Sequence, residues 1–270
     1  MDEIEKSLEK KFQKTIYKKF IRALNIYKLI NEGDKVAVCI SGGKDSFLLA
    51  KCLDMYKKHS LIKFDNVNIV MDPGYNKEVI DQIKKTAKDM KLDIKIYNSD
   101  IFMVSNKLNP SRPCYMCARM RRGFLYKTAE DLGCNVIALG HHFDDVIETA
   151  LLSLFYNGEF KTMMPKLNST NFQNMRLIRP LYLVKEEDII KFRDYHKLTF
   201  TNCACPYLNS DNYEDSSKRL EIKNFIKDYK KINPNIDINI FRSLEKVNLK
   251  TIISYKEDEE VKSTIDIKLD

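Results

Sequence analysis

From Ile4 onward, apolar residues recur at every fourth position, at Leu8, Phe12, Ile16, Phe20 and Leu24, with Lys10, Lys11, Lys14, Lys18, Lys19 and Arg22 between them. This spacing predicts a long amphipathic helix with a basic face, filling an N-terminal segment 1–32. The turn Asn31-Glu32-Gly33-Asp34 ends it. Lys35 to Ile40 (KVAVCI) is then a short apolar run that predicts a strand, closed by Ser41-Gly42-Gly43 and followed by a helix over 46–56. Further apolar runs at 67–71, 94–97 and 136–139 alternate with helical patterns at about 77–90, 115–132 and 145–155. Beyond Pro180 the pattern predicts helices from about 185, over 213–229 and over 240–249, while the charged stretch 254–270 shows no period and reads as peripheral.

Short apolar strands alternating with helices at this distance require right-handed crossovers and a parallel sheet covered on both faces. The expected fold class is therefore α/β, a doubly wound parallel sheet with an N-terminal basic helix and C-terminal helical additions. Its expected divisions are 1–32, an α/β nucleotide-binding unit at 33–200, and 201–270. In such sheets ligands lie beyond the carboxyl ends of the strands, so the turns after Ile40, Met71 and Leu139 should meet at one crevice.

Composition narrows the classes of function. With 44% hydrophobic residues and only 8 Gly and 7 Pro in 270, the chain can bury a sizeable core. No stretch approaches the roughly 18 apolar residues of a membrane span and the first residues are charged, so the expectation is a soluble cytoplasmic protein without a membrane partner. Lys and Arg number 46 against 38 acidic residues, a net charge of +8. That excess suits a polyanionic partner and serves solubility equally.

Ser41-Gly42-Gly43-Lys44-Asp45-Ser46 stands between the first strand and its helix, where unpaired amides and the positive helix end bind anions. Glycines admit phosphate to the backbone, the two serines add hydroxyls, and Asp45 can shape the loop or hold magnesium. The loop lacks the Gly-x-x-x-x-Gly-Lys-Ser/Thr spacing of γ-phosphate-cleaving enzymes. It resembles instead the pyrophosphatase loop of N-type ATP pyrophosphatases, which implies ATP cleaved between its α and β phosphates. Asp72 ends the second strand, where it could meet the nucleoside or simply open the turn before Pro73-Gly74. Gly140 and His141 follow the fourth strand toward the same crevice. Asp144 and Asp145 open the next helix, as magnesium or proton-handling carboxylates or as caps.

Seven cysteines fall into two groups. Cys39, Cys52 and Cys134 lie in apolar patterns, whereas Cys114/Cys117 and Cys203/Cys205 are close pairs bordered by polar residues and proline, which favours metal over disulfide in a cytoplasmic chain. Cys114 and Cys117 open a helix ahead of Arg119, Arg121 and Arg122, and both features lower thiol pKa. Three thiolates would hold a [4Fe–4S] cluster with one open iron, four a closed zinc site, and the spacing accommodates either.

Together these residues resemble the tRNA 2-thiocytidine synthetase (TtcA) family of the pyrophosphatase-loop superfamily over about 34–206. The likeness rests on SGGKDS at 41–46, Cys114-x-x-Cys117-x-Arg119-x-Arg121-Arg122-Gly123 and Gly140-His141-His142-Phe143-Asp144-Asp145. It continues through Glu148-Thr149, Phe155-Tyr156-Asn157-Gly158, Met164-Pro165-Lys166-Leu167 and Arg179-Pro180-Leu181. It implies ATP, Mg2+ and a [4Fe–4S] cluster as cofactors, tRNA as partner, and a sulfur donor, either a cysteine desulfurase or sulfide. It leaves room for a homodimer. Activity would be transfer of sulfur to C2 of a cytidine through an adenylated base.

Carried over by position, the cluster ligands would be Cys114, Cys117 and one of the second pair. Cys205 is preferred and Cys203 is the alternative, because Cys-Ala-Cys replaces the family's Cys-x-x-Cys. Ser41 to Ser46, Asp72, Gly140 and His141 would bind nucleotide, and Asp45, Asp144, Asp145 and Arg121 would serve catalysis. Lys161 and Lys166 are weaker phosphate-contact candidates. The residues leave three rival activities open: cluster-dependent removal of sulfur from a thiolated base, ligation by a pyrophosphatase-loop enzyme, and non-catalytic RNA binding by a zinc-stapled protein.

Overall fold

The computed structural model describes residues 2–109, 113–201, 214–257 and 260–264. Strands β1 (Lys35–Ile40), β2 (Asp65–Asp72), β3 (Lys95–Asn98), β4 (Val136–Ala138), β5 (Lys166–Asn168) and β6 (Arg176–Ile178) form one sheet in the order β3-β2-β1-β4-β6-β5. All neighbours run parallel except β5, which returns antiparallel along β6. Strand alternation assigns side chains to two faces. Val36, Val38, Ile40, Val70, Val136 and Ala138 enter one core, and Ala37, Cys39, Ile69 and Ile137 enter the other.

The first core is closed by helices α3 (Lys44–His59) and α4 (Lys77–Asp89), by α8 (Glu186–Tyr195) and by the N-terminal segment. The second is closed by α6 (Pro113–Asp131), through Tyr126 and Ala129. Helices α7 (Phe143–Asn157), α9 (Glu214–Ile232) and α10 (Ile236–Glu245) share a third cluster around Phe143, Ile147, Ile222 and Phe241. The strand-helix alternation thus yields the doubly wound sheet expected.

Two regions differ from the sequence expectation. The N-terminal helix is broken into α1 (Glu3–Glu9), a π-helical turn (Gln13–Tyr17) and α2 (Lys18–Ile26). The cause lies in the repeat itself. At 3.6 residues per turn, a strict four-residue stripe drifts by about 40° at each step and would wind off one face. Wide turns, in which the amides of Phe12 and Tyr17 reach back five residues to the carbonyls of Ser7 and Phe12, absorb the drift. Leu8, Phe12, Ile16, Phe20 and Leu24 all stay buried as a result. Toward the other end, the stretch read as peripheral forms a hairpin, β7 (Ser254–Glu257) with β8 (Glu260–Ser263). Helix α5 (Ile101–Leu108) and the three-residue strands β5 and β6 are further additions.

Candidate active site

β1 and β4 are neighbours, but their crossovers leave in opposite directions along the sheet, so the loops after them part and open a crevice. The first of these loops is Ser41 to Ser46. Ser46, buried at the start of α3, donates its hydroxyl to the Gly43 carbonyl (2.9 Å) and accepts from the Ser41 amide (3.1 Å), which curls the loop around its own backbone. Gly42 has φ +92° and packs under Thr201, whose amide donates to the Gly42 carbonyl at 3.2 Å. The second loop passes directly beside the first. A Cβ on Gly140 would lie 3.0 Å from Asp45 C and Ser46 N, so only glycine lets the two loops touch without displacement.

Charged groups converge on this junction. Asp45 Oδ1 is buried without a hydrogen-bond partner among the described residues, while Oδ2 pairs with Lys44 at 3.2 Å. Burial lifts the Asp45 carboxyl above its ordinary pKa, against the pull of His142 and Lys44. His142 Nε2 stands 3.9 Å from Asp45 Oδ1, and its buried Nδ1 is likewise without a hydrogen bond. An unpartnered carboxylate oxygen beside a loop of backbone amides at a helix N-terminus is a donor set suited to Mg2+ and phosphate.

The two aspartates opening α7 divide their work. Asp144 Oδ2 accepts the Glu186 amide at 2.6 Å, tying the start of α7 to the start of α8. Asp145 Oδ2 accepts the His142 amide at 2.9 Å, capping its own helix, and Oδ1 pairs with Arg219 of α9 at 3.1 Å. Arg219 also stands 3.8 Å from Glu148 and 3.4 Å from the Thr149 hydroxyl. Burial pushes the Glu148 pKa up to about 7, with Asp145 adding to the rise and Arg219 opposing it. His141 is pushed down to about 4, first by burial, and accepts at Nδ1 from Arg179 Nε at 3.2 Å, so it is neutral at pH 7 with its ring proton on Nε2.

Asp72 ends β2 as expected, and its Oδ1 accepts the amides of Gly74 (2.9 Å) and Tyr75 (2.7 Å), opening the turn there. Cys117 is buried against Met71, Ile101 and Phe102. Met71 immediately precedes Asp72, so this thiol lies at the carboxyl end of β2, on the edge of the sheet that carries the phosphate loop. Cys114 belongs to the same first part of α6, three residues earlier. Its side chain, and both Cys203 and Cys205, lie outside the described residues. Cys39, Cys52 and Cys134 are core residues, and burial pushes the Cys39 thiol up to about 12.

Arg119 and Arg122 are exposed on α6 and Arg121 is half-buried there. Lys161 pairs with Glu159, and Lys166 donates to the Lys28 carbonyl at 3.0 Å. Sequence reasoning assigned no role to Glu148, Arg179, Glu186, Arg219 or Lys223. The first two fall within the motifs of the resemblance; the other three carry no local signal beyond charge on a helix. At the opposite, amino-terminal edge of the strands a polar cleft of about 640 Å³ is lined by Lys35, Asp54, Asp65 and Lys95 among others. Lys35 there is already engaged by the Leu132 carbonyl.

Among the described residues, no helix is long and apolar enough to cross a membrane. The PP-loop domain family matches residues 5–230, which takes in the N-terminal helices and most of α9 as well as the sheet. A protein of Coxiella burnetii (strain CbuG_Q212) named tRNA-cytidine(32) 2-sulfurtransferase is 35% identical over 253 residues, covering 92% of this chain and 95% of the relative. One of the same name from Burkholderia orbicola (strain MC0-3) is 37% identical, covering 88% and 70%. The solved structure of the U34-tRNA thiolase NcsA from Methanococcus maripaludis with its [4Fe-4S] cluster superposes with a TM-score of 0.68 at 23% identity, covering 88% of this chain and 80% of that one, and so shares the fold. By its match over most of its length and its identity to these relatives, the chain belongs to the PP-loop family, in the group of the tRNA-cytidine(32) 2-sulfurtransferases.

Proposed function

We propose that this protein is an ATP-dependent tRNA thiolase that replaces O2 of a cytidine, the one at position 32, with sulfur. The observation that carries the reading is the placement of Cys117 against Met71, at the same edge of the sheet as the orphaned Asp45 carboxylate and the phosphate loop. Adenylation and sulfur delivery must act on one base, and Cys117 and the phosphate loop lie at one edge of the sheet.

The base oxygen attacks the α-phosphorus, pyrophosphate leaves, and AMP later departs carrying that oxygen. The loop amides of residues 42–46 and the positive end of α3 receive the pyrophosphate. Asp45, with Asp145 across the loop junction, would hold Mg2+, which screens the phosphate charge. His141, neutral and hydrogen-bonded by Arg179, offers its Nε2 proton to the nucleotide or the base. Cys114, Cys117 and Cys205, or Cys203 in its place, would ligate a [4Fe–4S] cluster, which would supply the sulfur. Burial of Cys117 among Met71, Ile101 and Phe102 would shield its side of that centre from water. The second pair follows Thr201 closely in sequence, and Thr201 is hydrogen-bonded to Gly42 of the phosphate loop.

Mass spectrometry of tRNA nucleosides from cells with and without the gene tests the assignment. Loss of 2-thiocytidine, restored by wild-type protein and not by Cys117→Ser or Asp45→Asn, is the expected result. Purified without oxygen, Asp45→Asn should retain cluster absorption while Cys117→Ser loses it. If Cys117→Ser restored 2-thiocytidine, the cysteine site would have no part in the chemistry. If turnover proceeded without ATP, the reaction would be sulfur removal or another process.

A further inference from the structure

Helix α9 presents two cations one turn apart, Arg219 and Lys223, toward the crevice. Arg219 meets the carboxylates of α7. Lys223 meets Glu186, the first residue of α8, at 2.6 Å. Glu186 is also the partner of Lys44 in the phosphate loop, at 3.0 Å through its other oxygen. One carboxylate is therefore shared by two ammonium groups, and the α9 lysine is the nearer of the two. Lys44, Asp45 and Glu186 are mostly shielded, with side-chain exposures of 18%, 27% and 18%. The Lys44 contacts are therefore little screened by water, whereas the Lys223 side chain is 51% exposed and its contact with Glu186 is partly screened.

Resting on the proposed nucleotide chemistry, we propose that Lys223 is a positioning residue for the phosphate loop, holding Glu186 so that Lys44 keeps its positive charge available to the nucleotide phosphates. The charge balance supports this. Lys44 and Lys223 stand against Asp45 and Glu186, two cations and two anions. Without Lys223 the same group carries a net negative charge beside the site where phosphate must enter, and Glu186 is left to Lys44 alone. The Glu186 backbone is anchored independently by Asp144. Its carboxylate would therefore stay in place when Lys223 is lost, and would compete with phosphate for Lys44.

Binding of a Mg2+ complex of α,β-methylene-ATP, whose bridge blocks cleavage between the α and β phosphates, to the full, anaerobically prepared protein, measured by calorimetry, tests the assignment. Lys223→Met, which keeps the length of a half-exposed side chain, is expected to weaken binding about tenfold, or about 1.4 kcal/mol. Glu186→Gln added to Lys223→Met is expected to restore affinity to within about threefold of wild type, because the competing anion is gone. Lys223→Arg should bind like wild type, and thermal midpoints should stay together, separating this effect from damage to α9. A double variant weaker than either single one would overturn the proposal, and so would Lys223→Met binding like wild type. If wild-type protein did not bind the nucleotide at all, the proposed function would fall, and this assignment with it.

Discussion

Gly42 is the position at which a single methyl group should do most to separate the phosphate loop from the segment leading to the second cysteine pair. Its φ of +92° is a conformation that side-chain-bearing residues adopt only under strain, at about 1–2 kcal/mol. An alanine Cβ would also stand 2.2 Å from Thr201 Oγ1 and 3.3 Å from two side-chain carbons of Ile83. Thr201 must move, and its amide then loses the Gly42 carbonyl it bonds at 3.2 Å, at a further cost of about 1 kcal/mol. Together Gly42→Ala should destabilise the fold by about 2–3 kcal/mol. At about 2–4 °C per kcal/mol for a chain of this size, the thermal midpoint should fall by about 5–10 °C. Nucleotide affinity should fall at least about tenfold, because the amides that receive phosphate shift with the glycine. Differential scanning fluorimetry and nucleotide titration on the same preparation provide both readings. A midpoint within about 1 °C of wild type, with unchanged affinity, would refute the argument, since neither the backbone angle nor the Thr201 contact could then be as described.

Glu148 gives a pH-dependent prediction. Its folded pKa, raised from 4.5 to about 7 chiefly by burial, means that the charged form opposes folding. The penalty is absent below the unfolded value, grows between pH 4.5 and 7, and is complete above that, at no more than about 3 kcal/mol. Glu148→Gln should therefore unfold at a higher temperature than wild type at pH 8, with the gap closing below pH 4.5; an equal gap at both pH values would exclude the linkage. Phe20, fully buried in the N-terminal segment, tests whether that segment belongs to the core. Phe20→Ala should cost about 3–5 kcal/mol in denaturant unfolding, and a loss below about 1 kcal/mol would mean that the segment is an appendage.

Local chemistry alone determined the α/β alternation, the strand Lys35–Ile40 and the phosphate loop after it. Each of these depends on residues close together in the chain: alternating apolar runs and a glycine turn at a strand end. Burial does not separate the core cysteines from the paired ones, because Cys117 is as buried as Cys39, Cys52 and Cys134. The resemblance added the order of the motifs and, through them, the family. The four-residue apolar stripe correctly marked what is buried in the first helices, but its period does not disclose the π turn that keeps those residues on one face. Strands β5 and β6 escaped because Lys166–Asn168 and Arg176–Ile178 mix charged or polar with apolar residues over three positions, whereas the equally short β4 is wholly apolar.

Tertiary structure decided the partners. Asp144 and Asp145 look alike in sequence, yet one anchors the Glu186 amide and the other meets Arg219. Nothing near Glu186 in the chain indicates that it bridges Lys44, 142 residues away, to Lys223. Charged residues on helix surfaces are common, and their meaning is set only when packing removes water and leaves one geometry in which they pair. That Cys117 and the phosphate loop share an edge of the sheet was likewise decided by the fold, because parallel strands bring all their carboxyl ends to one side whatever the length of chain between them.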